Sequence, residues 1–368
     1  MLETQKKPAL TGRTKRGPVD GTLAVILLLL LLTGLLVLFS ATYYTAQDQG
    51  DPLGEVKKQL LGIGLGTVAM LVTSRIPYRF WQDTWVIVGG LGLSVVLLVL
   101  VIIPGVGVYL NGSRRWLSLG GISFQPSEIA KMAVVMYMAA TLTYRGKGIR
   151  FLFRGILPVL VVPGFMFLLI LEQPNLSTAG SILIVSLMMI LVAGMCLGAF
   201  YAWSAPYRRE RLLSFTDPFA KMSDEGYQLA QSLIAFGSGG LFGMGLGQGR
   251  QKYAYLPYPE SDFIFAIVGE DFGLLGCIAV AALFAAFTLA GMRIAVNCRD
   301  KFGCLLAAGI TCNIAVQAFL NMGVVVGILP TTGLPLPFFS AGGTSISITM
   351  AAVGILMNIS RSSELMTT

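Results

Sequence analysis

Apolar runs long enough to cross a bilayer follow one another along most of this chain, and they dictate its fold class. They cover residues 21–41, 57–74, 84–103, 127–144, 153–171, 176–203, 263–292, 303–326 and 341–358. The hydrocarbon core of a bilayer takes about 20 apolar residues in helical form. Lipid offers no partners to backbone N–H and C=O groups, so each run must close its own hydrogen bonds as a helix. The expected fold is all-α: a polytopic transmembrane helical bundle of about nine to ten helices with one long extracellular loop. Charged residues make up only 12% of the chain, against about 25% in soluble domains. The 368 residues therefore read as one bundle in lipid, not as two soluble domains.

Basic residues set the orientation, because cytoplasmic loops carry the excess of Lys and Arg. Lys6, Lys7, Arg13, Lys15 and Arg16 hold the N-terminus inside. Arg75 and Arg79, then Arg145, Lys147, Arg150 and Arg154, then Arg293, Arg299 and Lys301, mark three further internal loops. The parsing is a cytoplasmic basic tail at 1–20, N-terminal transmembrane helices at 21–203, a long extracellular loop at 204–262, C-terminal transmembrane helices at 263–358 and a cytoplasmic tail at 359–368. No small-residue cleavage site follows Val25–Val37 closely, so that run reads as a retained first helix, not as a signal peptide. One conflict remains. Six crossings from an internal N-terminus return the chain to the cytoplasm near Trp203, yet the loop that follows must end outside. A crossing is missing, and 176–203 is too short for two full spans; either a half-helix re-enters there or residues have been lost.

Several classes of chemistry are excluded. The sequence holds no histidine, so acid–base work falls to carboxylates, Lys, Tyr or water, and a His-ligated metal site is ruled out. Its cysteines (Cys196, Cys277, Cys298, Cys304 and Cys312) lie in or beside apolar segments and form no CxxC pair. The net charge of +8 sits at helix ends, so it reports topology and not nucleic-acid binding.

The first candidate for chemistry is Asp262, the last polar residue before the apolar run Phe263–Val268. A carboxylate at that depth loses hydration and is paired, shifted in pKa or used. It reads either as a general base on the outer face or as a helix N-cap, a position Asp favours. Glu270 lies two turns further on and reads as a structural hydrogen-bond partner. The second candidate is the pair Glu128 and Lys131, three residues apart and so on one helix face, behind a helix-opening Pro126. Such a pair is either structural or lines a polar cavity with Lys131 facing phosphate. Arg114 and Arg115 lie outside, against the positive-inside bias, with Trp116 beside them. They read as anion binders or as headgroup anchors. Glu172, in an outer turn, is a second candidate carboxylate. The glycine-rich run 237–249 could form anion nests, though flexibility explains it as well, and it does not fit a P-loop.

Taken together these segments resemble the SEDS family (shape, elongation, division, sporulation), whose members include RodA, FtsW and SpoVE. The carriers are Asn111-Gly112-Ser113-Arg114-Arg115-Trp116, Gln125-Pro126-Ser127-Glu128-Ile129-Ala130-Lys131, Gly226-Tyr227-Gln228-Leu229-Ala230-Gln231-Ser232, Ser261-Asp262-Phe263-Ile264-Phe265 and Pro337-Phe338-Phe339-Ser340-Ala341-Gly342-Gly343. The wording around Gly226–Leu229 is closer to FtsW and SpoVE than to RodA. Departures are Glu260-Ser261-Asp262-Phe263 where members commonly read His-Thr-Asp-Phe, and Asn175 where they carry Asp. The stretch between Gly194 and Ala205 is also short for the family's seventh helix.

The resemblance implies a peptidoglycan glycosyltransferase of the bacterial cytoplasmic membrane that polymerises lipid II during division or sporulation septum synthesis. It implies Asp262 as the essential extracellular carboxylate and Glu128 with Lys131 as a polar pair facing the central cavity. A class B penicillin-binding protein is the implied partner. A divalent cation, Mg or Mn, is compatible with that chemistry, with no site assigned. Charge on the leaving pyrophosphate would fall to Lys131, Arg114, Arg115 or such a cation. The alternatives are a lipid II flippase and a non-catalytic scaffold of the division complex.

Overall fold

The computed structural model describes residues 17–48, 51, 53–103, 106–110, 113–119, 122–145, 155–173, 175–193, 227–253, 255–298, 300–329, 331 and 333–362. The segment in which the sequence loses one crossing, 194–226, lies outside them. So do Cys196, the basic residues of 1–16 and those of 146–154.

Ten α-helices appear among the described residues: α1 Gly21–Asp48, α2 Gly54–Arg75, α3 Thr84–Ile102, α4 Pro126–Arg145, α5 Leu157–Leu171, α6 Leu176–Val192, α7 Tyr227–Gly239, α8 Ile264–Val296, α9 Lys301–Val325 and α10 Gly343–Ser360. Six are long and apolar enough to cross a membrane by length and composition (α1, α2, α3, α8, α9 and α10), and α5 and α6 are shorter apolar helices. The outward surface fits lipid: Val25, Leu28, Leu61, Val68, Val88 and Leu168 are all exposed. α4 and α9 are deeply enclosed by their neighbours; Ala130, Met138, Ala139 and Leu142 of α4 and Leu306, Ala307, Ala308 and Ile310 of α9 are fully or almost fully buried.

Local sequence explains the element ends. Asp20 caps α1, its Oδ1 accepting from the N–H of Thr22 at 2.9 Å and of Leu23 at 3.2 Å. Asp83 caps α3 and Asp300 caps α9 in the same way. Pro126 is the first residue of α4, where its missing N–H leaves nothing unsatisfied. α2 and α10 approach at backbone distance because Gly62 faces Gly343 and Gly354 faces Met70, and a Cβ at Gly62 would collide with Gly343. Small residues at such crossings let packing replace the hydrophobic drive that lipid removes.

Two features depart from the sequence reading. Residues 104–125 are not a plain loop: Gly107–Leu110, Ser113–Leu119 and Ile122–Phe124 form a three-stranded antiparallel sheet, β1 to β3 in order. Leu117, buried, pairs with Gly107 on one side and Phe124 on the other. The second departure is in α8, whose 33 residues would run about 50 Å at 1.5 Å per residue, far more than a bilayer core. Gly273 breaks it, with φ 65° and ψ −164°, a backbone state open essentially only to glycine.

The break leaves polar backbone groups unpaired, and the glycine-rich loop after α7 takes them up. Met244 N–H donates to the Glu270 carbonyl at 2.9 Å and Gly245 N–H to that of Asp271 at 3.1 Å. In return Leu274 N–H donates to the Gly240 carbonyl and Leu275 N–H to that of Leu241, at 2.9 and 3.2 Å. Gly240, Gly243, Gly245 and Gly247 supply the positive φ angles this path requires. The run beginning at Phe263 is therefore not a crossing from its first residue. Ile264–Asp271 is a half-helix buried in protein, and the leg of bilayer length begins beyond Gly273.

Candidate active site

Asp262 ends the irregular segment that leads into the buried half-helix. It does not act as the N-cap of α8: the cap residue is Phe263, and no side chain accepts a cap hydrogen bond there. Of the two readings open in the sequence, the cap is thus removed. The Asp262 backbone carbonyl is held by the Nδ2 of Asn321 at 2.7 Å, and its carboxyl group is half-buried. Desolvation raises its pKa from 3.8 to about 6. Its own backbone N–H and the positive charge of Arg115 oppose that rise, and the negative charge of Glu260 adds to it. Glu260 is itself shifted upward, mainly by burial, with a contribution from Glu55 of α2.

Arg115 reaches this carboxyl from β2. Its Nε donates to the Gln173 carbonyl in the α5–α6 turn at 3.3 Å, which anchors the sheet to the bundle. The terminal guanidinium nitrogen Nη1 and the Asp262 Oδ2 border the same gap. A Cβ added at Gly333 would lie 2.9 Å from the first and 3.9 Å from the second. A carboxylate and a guanidinium thus border one slot beside Gly333, which a side chain at that position would enter.

The floor of the slot is tied to α4 through α9. Asn321, buried, donates through Nδ2 to the Leu334 carbonyl at 2.7 Å as well as to that of Asp262. One turn earlier Gln317 donates to the Pro335 carbonyl at 3.0 Å and accepts from Lys131 Nζ. Lys131 also pairs with Glu128 at 2.8 Å, both side chains almost fully buried. Gln59 of α2 holds the same strip further along, donating to the Ser340 carbonyl at 3.1 Å and accepting from Gly342 N–H at 3.2 Å. Ala341 N–H donates to the Glu260 carbonyl at 2.8 Å, fastening the strip under the Asp262 segment.

The expected residues therefore divide. Asp262 and Arg115 share one slot. Glu128 and Lys131 form the ion pair one helical turn predicts, and in this conformation Lys131 faces Glu128 and Gln317, not an open cavity. Glu172 is exposed at the end of α5, beside the Gln173 whose carbonyl holds Arg115. Arg114 pairs with Tyr109 in the sheet, and its side chain lies outside the described residues. Asn175 is the N-cap of α6, accepting from Thr178 N–H at 3.2 Å, so the amide that replaces a carboxylate has a structural use. Glu270 accepts from the N–H groups of Arg250 and Gln251, at 2.5 and 3.1 Å, which is the structural role its position suggested.

Sequence reasoning missed Gln317, Asn321 and Gly333, and it missed a second buried cluster. Lys252 Nζ, fully buried, lies 2.9 Å from Asp271 Oδ1 and 2.9 Å from Ser40 Oγ. Ser40 also donates to Asp271. This cluster clamps the glycine-rich loop onto the broken part of α8. A signal for the first group was present: Asn313, Gln317 and Asn321 recur every four residues along an otherwise apolar helix.

A bundle with a broken helix, a desolvated carboxylate beside Arg115 and a buried ion pair one amide away has the makings of a membrane-embedded enzyme site with an acid–base group at its edge. The chain matches the family profile described as cell cycle protein of the FtsW, RodA and SpoVE group over residues 21–365. It is 41% identical over 368 residues to stage V sporulation protein E of Bacillus subtilis, covering 95% of this chain and 99% of that one. It is 39% identical over 354 residues to a probable peptidoglycan glycosyltransferase FtsW of Geobacter metallireducens, covering 92% and 94%. Among solved structures it superposes with TM-score 0.75 and 24% identity, over 95% of this chain and 99% of the other, on a chain from a peptidoglycan synthase complex that coordinates polymerization and crosslinking. The protein belongs to the FtsW, RodA and SpoVE family and is a multi-pass membrane protein.

Proposed function

We propose that this protein is a peptidoglycan glycosyltransferase that polymerises lipid II at the outer face of the membrane, with Asp262 as general base. The observation that carries the reading is the state of Asp262: a half-buried carboxyl, not spent on a helix cap, poised near pH 6 and facing a slot whose other wall is Arg115. A base is most effective when its pKa lies close to the working pH, and one well-placed base supplies roughly 10²–10⁴-fold.

The step follows from that geometry. The growing glycan lies outside with its lipid-linked pyrophosphate on the anomeric carbon. Asp262 takes the proton from the 4-hydroxyl of the incoming lipid II sugar as that oxygen attacks the anomeric carbon in line. The C–O bond to pyrophosphate breaks, and the configuration inverts. Pyrophosphate leaves as an anion, so no second protein acid is needed. Arg115 stands where it can neutralise the developing charge, and Arg114 neighbours it in β2. Lys131 acts through Gln317, as a fixed internal pair with Glu128. Glu172, at the rim, is assigned to outer contacts with the substrate headgroup.

Among the described residues no group of three or more metal-ligating side chains comes together. A divalent cation, if the reaction uses one, would supply charge neutralisation at the leaving pyrophosphate, and no step here depends on it. The excess of Lys and Arg in the loops around 75–79, 145–154 and 293–301 supports an orientation with both termini in the cytoplasm and the Asp262 segment outside. The likeness to a chain from a synthase complex supports a crosslinking partner, a class B penicillin-binding protein.

The flippase alternative needs polar groups along the whole path. With this orientation Glu128, Lys131, Gln317 and Asn321 all lie in the outer halves of α4 and α9. The inner halves bury Met138, Leu142, Phe302 and Leu306 instead. The test is polymerisation of lipid II by the purified protein with its partner and divalent cation, wild type beside Asp262→Asn. Polymer from the wild type alone supports the enzyme; equal polymer from both removes Asp262 as the base.

A further inference from the structure

We infer that Asn321 and Gln317 are positioning residues of this site: Asn321 fixes the spacing of the Asp262 slot, and Gln317 locks the slot to the Lys131–Glu128 pair. The inference rests on the proposed role of Asp262 and deepens it.

The two amides sit one turn apart on the same face of α9 and use their donors alike. Asn321 Nδ2 spends both hydrogens on backbone carbonyls, one from each side of the slot. The Asp262 carbonyl belongs to the residue that carries the carboxylate, and the Leu334 carbonyl follows Gly333, which lies beside the gap. One planar group at 2.7 Å from each carbonyl therefore sets the distance between the slot's two backbones. A hydroxyl, with one hydrogen, cannot hold both. The orientation of the amide is also fixed, because its flipped form would turn an oxygen toward two carbonyl oxygens. Among the described residues, Asn321 Oδ1 is buried and has no hydrogen-bond partner. The amide is held in place by its two donors.

Gln317 repeats the pattern one turn inward. Its Nε2 holds the next carbonyl of the strip, that of Pro335, and its Oε1 takes a hydrogen from Lys131. The Lys131 ammonium is thereby held between Gln317 and Glu128, so its charge is fixed behind the slot. A displacement of α9 along its axis would move the Asp262 backbone and the 333–335 strip together, while loss of the Asn321 amide would let them separate. Positioning errors of about 1 Å cost on the order of 10²-fold in rate.

Charged groups facing the Asp262 carboxyl are Arg115 from β2 and Glu260 from its own segment, with Glu55 of α2 acting on Glu260. None of them is touched by changing Asn321. Freed from the amide, the Asp262 segment opens to water, the desolvation that raises its pKa is relieved, and the acid limb of the rate profile moves to lower pH.

The experiment uses the full chain with its crosslinking partner in detergent. Initial rates of lipid II polymerisation are recorded against substrate and pH for wild type, Asn321→Ala, Asn321→Ser, Gln317→Met and Asp262→Asn, with a thermal melt for each. Asn321→Ala is expected to lose roughly 10–100-fold in kcat with KM nearly unchanged, and to move the acid limb to lower pH. Asn321→Ser, keeping one donor, recovers part of both. Gln317→Met is expected to lower kcat while leaving the acid limb in place. A folded Asn321→Ala with wild-type kcat and acid limb overturns the inference. If that variant fails to fold, Asn321→Ser decides in its place: a wild-type kcat and acid limb overturn the inference, a fall in both supports it. Activity retained by Asp262→Asn overturns the base assignment instead, and with it the inference's foundation, whatever the α9 variants do.

Discussion

Replacing Asp262 by Asn should abolish polymerisation and, above pH 6, make the protein more stable. The Asp262 carboxyl has a pKa of about 6 in the folded chain against 3.8 for an unburied Asp. A raised carboxyl pKa means the folded state holds its proton more tightly than the unfolded state does. Stability is therefore greatest below about pH 4, falls as pH rises from 4 to 6, and stays low above 6. Two pH units correspond to about 3 kcal/mol, and partial exposure of the group reduces that to about 1–3 kcal/mol. The neutral amide of Asn keeps the shape and carries no charge to desolvate. Thermal unfolding in detergent at pH 4 and pH 8 reads the effect. The wild type should lose stability relative to Asp262→Asn between those values, while the inactive variant should melt higher at pH 8. Equal pH dependence in both proteins, or a variant that melts lower at pH 8, would refute the view that burial of this carboxylate opposes folding in favour of reactivity.

Other expectations follow from the same geometry. The kcat/KM profile of the wild type should show an acid limb near pH 6, falling tenfold per unit below it; Arg115→Met should move that limb upward, since a positive charge that favours the carboxylate is gone. Gly333→Ala should cut polymerisation at least tenfold with little change in melting temperature, because its Cβ would sit 2.9 Å from the Arg115 guanidinium and fill the slot. Lys252→Met should cost about 3–5 kcal/mol by leaving Asp271 charged and buried, and Lys252→Met with Asp271→Leu should recover most of it; a double variant no better than the single would contradict the burial of an ion pair there. Gly273→Ala should destabilise the protein strongly, since its backbone is at φ 65° and the added Cβ would lie 2.6 Å from the carbonyl carbon of Leu241.

Much of the architecture was legible from the chain alone. In lipid a run of some 20 apolar residues has only one economical backbone state, so the existence of the helices, their order and their approximate ends required no tertiary information. Pro126, Asp20, Asp83 and Asp300 mark starts by local chemistry that works anywhere. The pair at 128 and 131 follows from the helical period, and Asp262 was visible as a carboxylate at the edge of an apolar run.

What tertiary structure decided was where partners come from. Residues 104–125 gave no clear strand alternation, and the sheet forms because Leu117 finds a buried place against the bundle. Phe263–Phe272 reads as the start of a crossing in any window, but the half-helix ends because Gly273 can turn where the loop at 240–245 supplies hydrogen bonds. The cap assignment for Asp262 fell because the chain turns one residue later, at Phe263. Gln317, Asn321 and Gly333 are ordinary residues in one dimension. They become a clamp and a slot only when α9, β2 and the strip before α10 converge, because hydrogen bonds and gaps between distant segments have no periodicity along the sequence.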